Sequence, residues 1–445
     1  MSTEGPKALD PASPSLEKGV PRAVPPVSMS GIGTVRRSVT DYIRWLGPAL
    51  IVSVAYMDPG NYGTDLAAGA TFQYQMLWAG WLASAMAMLL QYLSGKLGIA
   101  TGKSLPELVR ESLVKKRFVI PYWLAAEAAA AATDLAEYLG TVIALNLLFG
   151  VPMIYAAIFG ALDVILLLTM MTRRFRLIEQ YFMLLVSILV LGVLYQVAVV
   201  RPDLGKLAYG SMVPNLTPST FGTQTYDPLL LAVGMIGATV MPHAIFVHSW
   251  LTKNKVKSGT TEEKAEKRRL HLTETVTLLT VAGVVNAGLL LVAVPFYPNP
   301  GITIQSAYQG FTTTYGPAIA VVFVVAMLAS GLSSSTTGTI AGQVIMEGLI
   351  GKHGSIWLRR IVTRFINVFP TTIAILLKIN PLNLLVYSQV ILSLMLPLPM
   401  IPLVYYTSKK RFMGAMTNTR ATVVLAVVTA VVILGFNVFL LTTIL

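Results

Sequence analysis

Long apolar stretches recur along this chain, separated by short polar segments. Runs long enough to cross a bilayer occupy residues 46–71, 75–99, 121–148, 152–172, 178–200, 228–251, 272–296, 317–350, 358–378, 383–407 and 421–443. The pattern predicts eleven transmembrane helices, an all-α polytopic membrane protein. The 317–350 run is too long for one simple span and is expected to continue past the membrane on one side. The first 40 residues hold no long apolar run and are rich in proline, so they do not form a signal peptide. Residues 1–45 read as a disordered, basic cytoplasmic tail.

The polar segments between these runs alternate in charge. With the N-terminus inside, the inside loops carry Lys103, Arg110, Lys115, Lys116 and Arg117, then Arg173, Arg174 and Arg176. They continue with the basic segment from Lys253 to Arg269, then Lys352, Arg359 and Arg360, and last Lys409, Lys410, Arg411 and Arg420. The outside loops carry only Arg201, Lys206 and Lys378. Basic residues collect on the cytoplasmic side of membrane proteins, so the alternation supports the span count. It places the N-terminus in the cytoplasm and the C-terminus outside, in the plasma (inner) membrane.

The first five spans (46–200) and the next five (228–407) form two halves, followed by an eleventh helix at 421–443. An odd number of spans per half forces the second copy to insert upside down. In each half the first span is interrupted, by Asp58-Pro59-Gly60-Asn61 and by Met241-Pro242-His243. Inverted five-helix repeats with broken first helices describe a LeuT-like fold and a secondary transporter.

Composition narrows the function further. The chain is 55% hydrophobic and 12% charged, where a soluble domain carries about 25% charged residues. There is no cysteine and there are only four histidines, which excludes disulfides and thiolate sites and disfavours a multi-histidine zinc site. The net charge of +13 is mostly topology and not a nucleic-acid patch. No phosphate-binding Gly-x-x-x-x-Gly-Lys-[Ser/Thr] loop is present, no enzyme chemistry is indicated and no obligate protein partner is evident. The expected partners are the lipid bilayer, divalent metal ions and protons.

The two interruptions carry the chemistry. Proline removes one N–H and displaces the carbonyl four residues earlier, which frees the carbonyls of Ala55 and Ala238. A bare carbonyl in lipid is costly without a partner, and a cation is one such partner. Asp58 supplies charge, Asn61 an amide oxygen and Met241 a thioether. Soft sulfur prefers transition metals to Mg²⁺ and Ca²⁺, which favour all-oxygen shells. The set suits Mn²⁺, Fe²⁺, Co²⁺ or Cd²⁺. Methionine alone is usually packing and a Pro-Gly pair is often a kink; both breaks at matched positions favour the ion site.

The two motifs, together with Ala132-Thr133-Asp134-Leu135-Ala136-Glu137, Ala329-Ser330-Gly331-Leu332-Ser333-Ser334, Gly342-Gln343 and Met346-Glu347-Gly348, resemble the NRAMP family of divalent metal transporters over residues 45 to 407. The resemblance implies a LeuT-like fold and proton-coupled import of Mn²⁺ or Fe²⁺, the metal being substrate and no cofactor being needed. It implies the metal ligands Asp58, Asn61, Met241, Ala55 and Ala238, with Gln389 joining in the occluded state. Met395 stands where family members often carry a second glutamine, and Ala244 where many carry asparagine. Relatives that carry Mg²⁺ typically lack the methionine, so Met241 favours the transition-metal branch.

Coupling to protons needs a relay. Asp58 could accept a proton as well as bind metal. Glu127, Asp134 and Glu137 share one face of the third span, and acids inside a membrane helix mark functional paths. His243 adjoins the metal site, and Arg364 in the ninth span is a salt-bridge partner for Glu137. The resemblance implies that His243, Asp134, Glu137 and Arg364 line the proton pathway. Structural ion pairing is as good a reading for Glu127. His248 reads as a core histidine, Asp65 as a solvated acid of the outer vestibule, and Asp163 and Glu347 as locally paired. A Mg²⁺ transporter of the same superfamily, a LeuT-type symporter of organic solutes and a metal receptor without flux are the rival readings.

Overall fold

The computed structural model of the chain describes residues 48–113, 116–161, 175–256, 259–351 and 355–444. The expected tail at 1–45, Asp163 and most of the second half of the fourth span lie outside the described residues. The described chain is almost wholly helical.

The first expected span is two helices, α1 (Pro48–Ala55) and α2 (Pro59–Phe72). It is followed by α3 (Leu77–Thr101), the short α4 (Leu105–Ser112), α5 (Val119–Phe149) and α6 (Met153–Gly160). Next come α7 (Phe175–Val200) and α8 (Leu204–Met212). A hairpin of β1 (Ser219–Phe221) and β2 (Gln224–Tyr226) precedes the second half. That half opens with α9 (Pro228–Thr239) and α10 (Pro242–Lys253), then α11 (Thr261–Ala293) and α12 (Ile304–Tyr315). It continues through α13 (Pro317–Ile350), α14 (Ile356–Leu376), α15 (Pro381–Met395) and α16 (Pro397–Thr407). The last helix is α17 (Arg420–Ile444).

Eight helical stretches among the described residues are long and apolar enough to cross a membrane. Nine of the eleven expected spans fall wholly or partly on these stretches. One 43-residue stretch, Pro59–Thr101, contains α2 and α3, which part where Gln73 takes a left-handed φ of 53°. The eight-residue α1 is too short to count alone. The fourth span is only partly described, and the ninth is the shorter helix Ile361–Leu376.

Both breaks are outright. Pro59 and Pro242 each occupy the first turn of a new helix, where a missing N–H costs nothing. Met241, preceding a proline, is extended at φ −70° and ψ 123°, as that position demands. Two features went beyond the sequence pattern. Helix α11 begins at Thr261, well before the apolar run, because Thr260 caps it and Glu262 and Glu263 sit in its first turn, where acids favour the helix dipole. The tenth span divides at Pro397 into α15 and α16.

Packing is close because small residues line the contacts. Helix α13 lies along α5, and a Cβ on Gly331 would come within 2.7 Å of Thr141 Oγ1. Helix α2 lies on α11, where a Cβ on Gly69 would sit 2.2 Å from the Leu290 carbonyl oxygen.

The α4 helix ties several of these elements together. Glu107 closes a capping box with Ser104 and pairs with Lys253 of α10 at 2.7 Å. Leu105 N donates to Ser249 Oγ of α10 at 2.9 Å. Arg110 Nη1 donates to the Glu347 carbonyl of α13 at 3.4 Å, and Tyr406 OH of α16 donates to the Leu108 carbonyl at 3.3 Å. Partial burial alone would raise the Glu107 carboxyl, but hydrogen bonds from Lys253 and Ser104 outweigh it and hold the group below its ordinary value. Its contribution is therefore complete above the usual carboxylate range and is lost as pH falls through the lowered value.

Replacing Gly69 with valine should force α2 and α11 apart, because a backbone oxygen cannot yield as a side chain can. The expected destabilisation is about 1–3 kcal/mol, the usual range for overpacking, read as a lower thermal midpoint of the detergent-solubilised protein. An unchanged midpoint would show that the two helices are not in register here.

Candidate metal centre

The two breaks meet in a fully buried polar cluster. Asp58 caps α2: its Oδ1 accepts from Asn61 N at 3.0 Å and from Asn61 Nδ2 at 2.8 Å. Asn61 Nδ2 also approaches the carbonyl oxygens of Tyr56 at 3.2 Å and Ala238 at 3.4 Å. One N–H₂ group thus faces three oxygens, one from each side of the first break and one from α9. Asn61 Oδ1 turns the other way, toward Thr239 Oγ1 at 3.4 Å and Asn286 Nδ2 of α11 at 3.2 Å. Asn286 Nδ2 donates to the Tyr56 carbonyl as well, at 3.0 Å.

Three oxygens in the cluster have no hydrogen-bond partner among the described residues: Asp58 Oδ2, Asn286 Oδ1 and Gln389 Oε1. Asp58 Oδ2 and the Gln389 amide lie around one glycine: a Cβ on Gly60 would be 1.9 Å from Gln389 Nε2 and 2.9 Å from Asp58 Oδ2. Gln389 is brought there because α15 packs on α9 through Gly237, whose Cβ would strike the Gln389 carbonyl at 1.9 Å. A buried carboxylate oxygen without a donor is costly; a cation bound by Asp58 Oδ2 would remove the cost.

Of the six residues expected to hold metal, Asp58, Asn61, Ala238 and Gln389 gather here. Ala55 ends α1 and Met241 caps α10, both completely buried. The sequence pattern named only the two carbonyls displaced by proline. Because the breaks are outright, the residues between α1 and α2 leave their carbonyls free as well: Tyr56 O goes to the two asparagines, and Met57 O accepts from Ser330 Oγ of α13. Tyr56, Thr239 and Asn286 were missed. An asparagine within the run 272–296 was the one available signal.

A second cluster joins α5, α10 and α14. Thr133 Oγ1 lies 3.1 Å from His243 Nδ1, and His243 Nε2 is buried with no partner among the described residues. The next residue of α5, Asp134, accepts from Asn367 Nδ2 at 2.6 Å and pairs with Arg364 at 3.7 Å, a partner the sequence did not name. Arg364 also donates to Ser335 Oγ at 3.1 Å and lies 4.9 Å from the Tyr138 ring centroid. Glu137 is buried against Gly338 of α13, where a Cβ would come within 2.9 Å of its Oε2. Glu127 stands apart, bonded to Arg359 and to Trp123 Nε1. His248 bonds Gln91 Oε1 at 2.8 Å, in keeping with a core histidine, and Glu347 pairs locally with Gln343. Asp65 is 2% exposed, so solvation does not account for it.

A bundle whose halves each open on a broken helix, with polar groups gathered at the breaks, has the architecture of LeuT-type secondary transporters. Mhp1, a nucleobase-cation-symport-1 family transporter, superposes with a TM-score of 0.60 at 16% identity, over 88% of this chain and 87% of its own, a likeness of fold alone. The chain belongs to the Nramp family: residues 49–443 match the family described as natural resistance-associated macrophage protein-like. It is 42% identical over 409 residues to the divalent metal cation transporter MntH of Deinococcus radiodurans, covering 91% of each chain. The MntH of Bacillus subtilis is 38% identical over 407 residues, covering 91% of this chain and 93% of its own. The manganese transporter of Eremococcus coleocola, solved in complex with an aromatic bis-isothiourea compound, superposes with a TM-score of 0.82 at 33% identity, over 90% of this chain and 86% of its own.

Gly60→Ala tests the cluster. The added methyl group would displace the Gln389 amide, which lies 1.9 Å from its position. Calorimetric affinity for Mn²⁺ should fall about tenfold, or ~1.4 kcal/mol, with little change in thermal midpoint. Unaltered affinity would remove Gln389 from the binding set.

Proposed function

We propose that this protein imports divalent transition metal ions, Mn²⁺ and also Fe²⁺, Co²⁺ and Cd²⁺, across the plasma membrane by alternating access, in symport with protons. The observation that carries the reading is the buried Asp58 Oδ2, which has no donor among the described residues, with the Gln389 side chain, whose Oε1 also lacks one, packed against it at Gly60. Oxygen from Asp58, Asn61, Gln389 and the carbonyls of Ala55 and Ala238, with sulfur from Met241, would replace the ion's hydration shell. Asp58 supplies the charge that offsets a divalent ion in low dielectric, and the thioether favours softer ions over Mg²⁺ and Ca²⁺.

The proton would leave Asp58 by way of His243, whose buried ring joins the second break to α5, and pass along Asp134, Arg364 and Glu137. The Asp134–Arg364 pair supports this path: ionised, Asp134 is compensated by the guanidinium, and taking up a proton would break that pairing until the proton moves on. Glu127, joined to Arg359 and Trp123, takes the role of an ion pair between helices. The loop charges support a cytoplasmic N-terminus and an outside C-terminus.

The decisive experiment is Mn²⁺ uptake into proteoliposomes with Mg²⁺ and Ca²⁺ as competitors. Uptake of Mn²⁺ that tenfold excesses of Mg²⁺ and Ca²⁺ leave intact supports the reading. Binding without flux, or uptake of an amino acid in its place, would sink it. Met241→Ala should let Mg²⁺ and Ca²⁺ compete and weaken Mn²⁺ binding roughly tenfold. If selectivity does not change, Met241 is not the filter.

Proton coupling has its own test. Asp134→Asn and Glu137→Gln should weaken metal-driven acidification of the vesicle lumen several-fold while calorimetric Mn²⁺ binding stays within about twofold. Loss of binding would place these acids in the metal site instead.

A further inference from the structure

The end of the bundle that bears the basic loops contains a group of cations that make no ion pair among the described residues. Lys96, on the last turns of α3, is 4% exposed. Its Nζ donates to Asn418 Oδ1 at 2.7 Å and lies 5.7 Å from the centroid of the Tyr92 ring. Lys264 Nζ of α11 donates to the Ala100 carbonyl at 3.0 Å, one turn further along the same helix end. Arg268 lies one turn from Lys264 on α11. Among the described residues, none of these three cations has a carboxylate within ion-pair distance. Other cations at this end do: Lys103 pairs with Glu111 and Lys253 with Glu107.

The floor of this group holds a second anomaly. Asn418 is 8% exposed, and its Nδ2 has no acceptor among the described residues. Its backbone is fixed by Asn418 N donating to the Thr407 carbonyl at 3.1 Å, and its Oδ1 is held by Lys96. The amide N–H₂ is therefore a buried donor lacking an acceptor, beside a buried ammonium lacking a counter-charge. A buried cation bonded only to neutral oxygen is costly, and so is a buried donor left bare. One anion would satisfy both.

We propose that Lys96, Asn418, Lys264 and Arg268 form a binding site for a phosphate group, carried by an anionic phospholipid of the leaflet at the basic end of the bundle. Lys96 and the Asn418 amide form the floor, and the half-buried Lys264 and Arg268 form the rim. The phosphodiester of such a lipid lies at the depth where membrane helices end, and basic pockets between helices at that depth suit anionic headgroups. The lipid would bridge α3, α11 and the turn that leads into α17. The site is separate from the metal centre and independent of the ion transported.

Thermal unfolding of the full chain in a neutral maltoside detergent tests it. Dioctanoyl phosphatidylglycerol, dioctanoyl phosphatidylcholine and sodium phosphate are titrated separately. Phosphatidylglycerol should raise the midpoint saturably and phosphatidylcholine should not. The Lys264→Gln/Arg268→Gln double variant, altered only on the rim, should raise the half-saturating concentration by about fivefold for each charge removed. Lys96→Met should abolish the response. If it does not fold, the rim variant still decides the matter. Lys103→Gln, which removes a charge at the same end but outside the group, should leave half-saturation unchanged. Equal saturable stabilisation by sodium phosphate supports the phosphate site but makes free phosphate its ligand. Equal responses to the two lipids, no response to any of the three, or an unaltered response in the rim variant overturns the proposal.

Discussion

Everything at the centre of this protein follows from the rule that backbone polar groups inside a membrane must find partners within the protein. Two helices break at mid-length, and each break strips hydrogen bonds from the turn before it. The chain answers with side chains drawn from other helices. Asn286 of α11 and Asn61 of α2 take the Tyr56 carbonyl, and Ser330 of α13 takes the Met57 carbonyl. Further down, Thr337 Oγ1 donates to the Ile51 carbonyl at 3.0 Å. The broken first span is thus held by hydroxyls and amides on two neighbours, not by lipid-facing contacts. Polar groups that would be a liability in an intact helix become the means of fixing a precise cluster of oxygens.

Small residues let that cluster close. Gly60 admits the Gln389 side chain, Gly237 admits the α15 backbone and Gly140 admits Pro59, which would lie 2.3 Å from a Cβ there. At these contacts a glycine is needed for approach, not for backbone freedom. They also explain why Asp58, Asn61, Met241 and Gln389 are all 1% exposed or less. The helices that carry these four residues approach one another closely at those glycines.

The sequence made the breaks legible because proline and aspartate inside an apolar run are signals in one dimension. The same holds for the all-helical, many-span character of the chain. What it did not show depends on packing. Asn286 and Thr239 reach the cluster only because α9 and α11 are laid against α2, and spacing along the chain says nothing of that. The pairing of Arg364 with Asp134 depends likewise on how α14 leans on α5. The start of α11 at Thr261 was hidden because that stretch is charged, and apolar periodicity is blind to a helix that leaves the membrane. Helices α8 and α12 were missed because each is too short to register as an apolar span.

The small helix α4 has a mechanical meaning. It is bonded to α10 by Glu107 and Leu105, to α13 by Arg110 and to α16 by Leu108. Its eight residues span about 12 Å, too short to bend. A rod of that length, pinned to three membrane helices, fixes how far their ends can separate before a pin gives way. Of these pins, Glu107–Lys253 is the one that a change of charge could release.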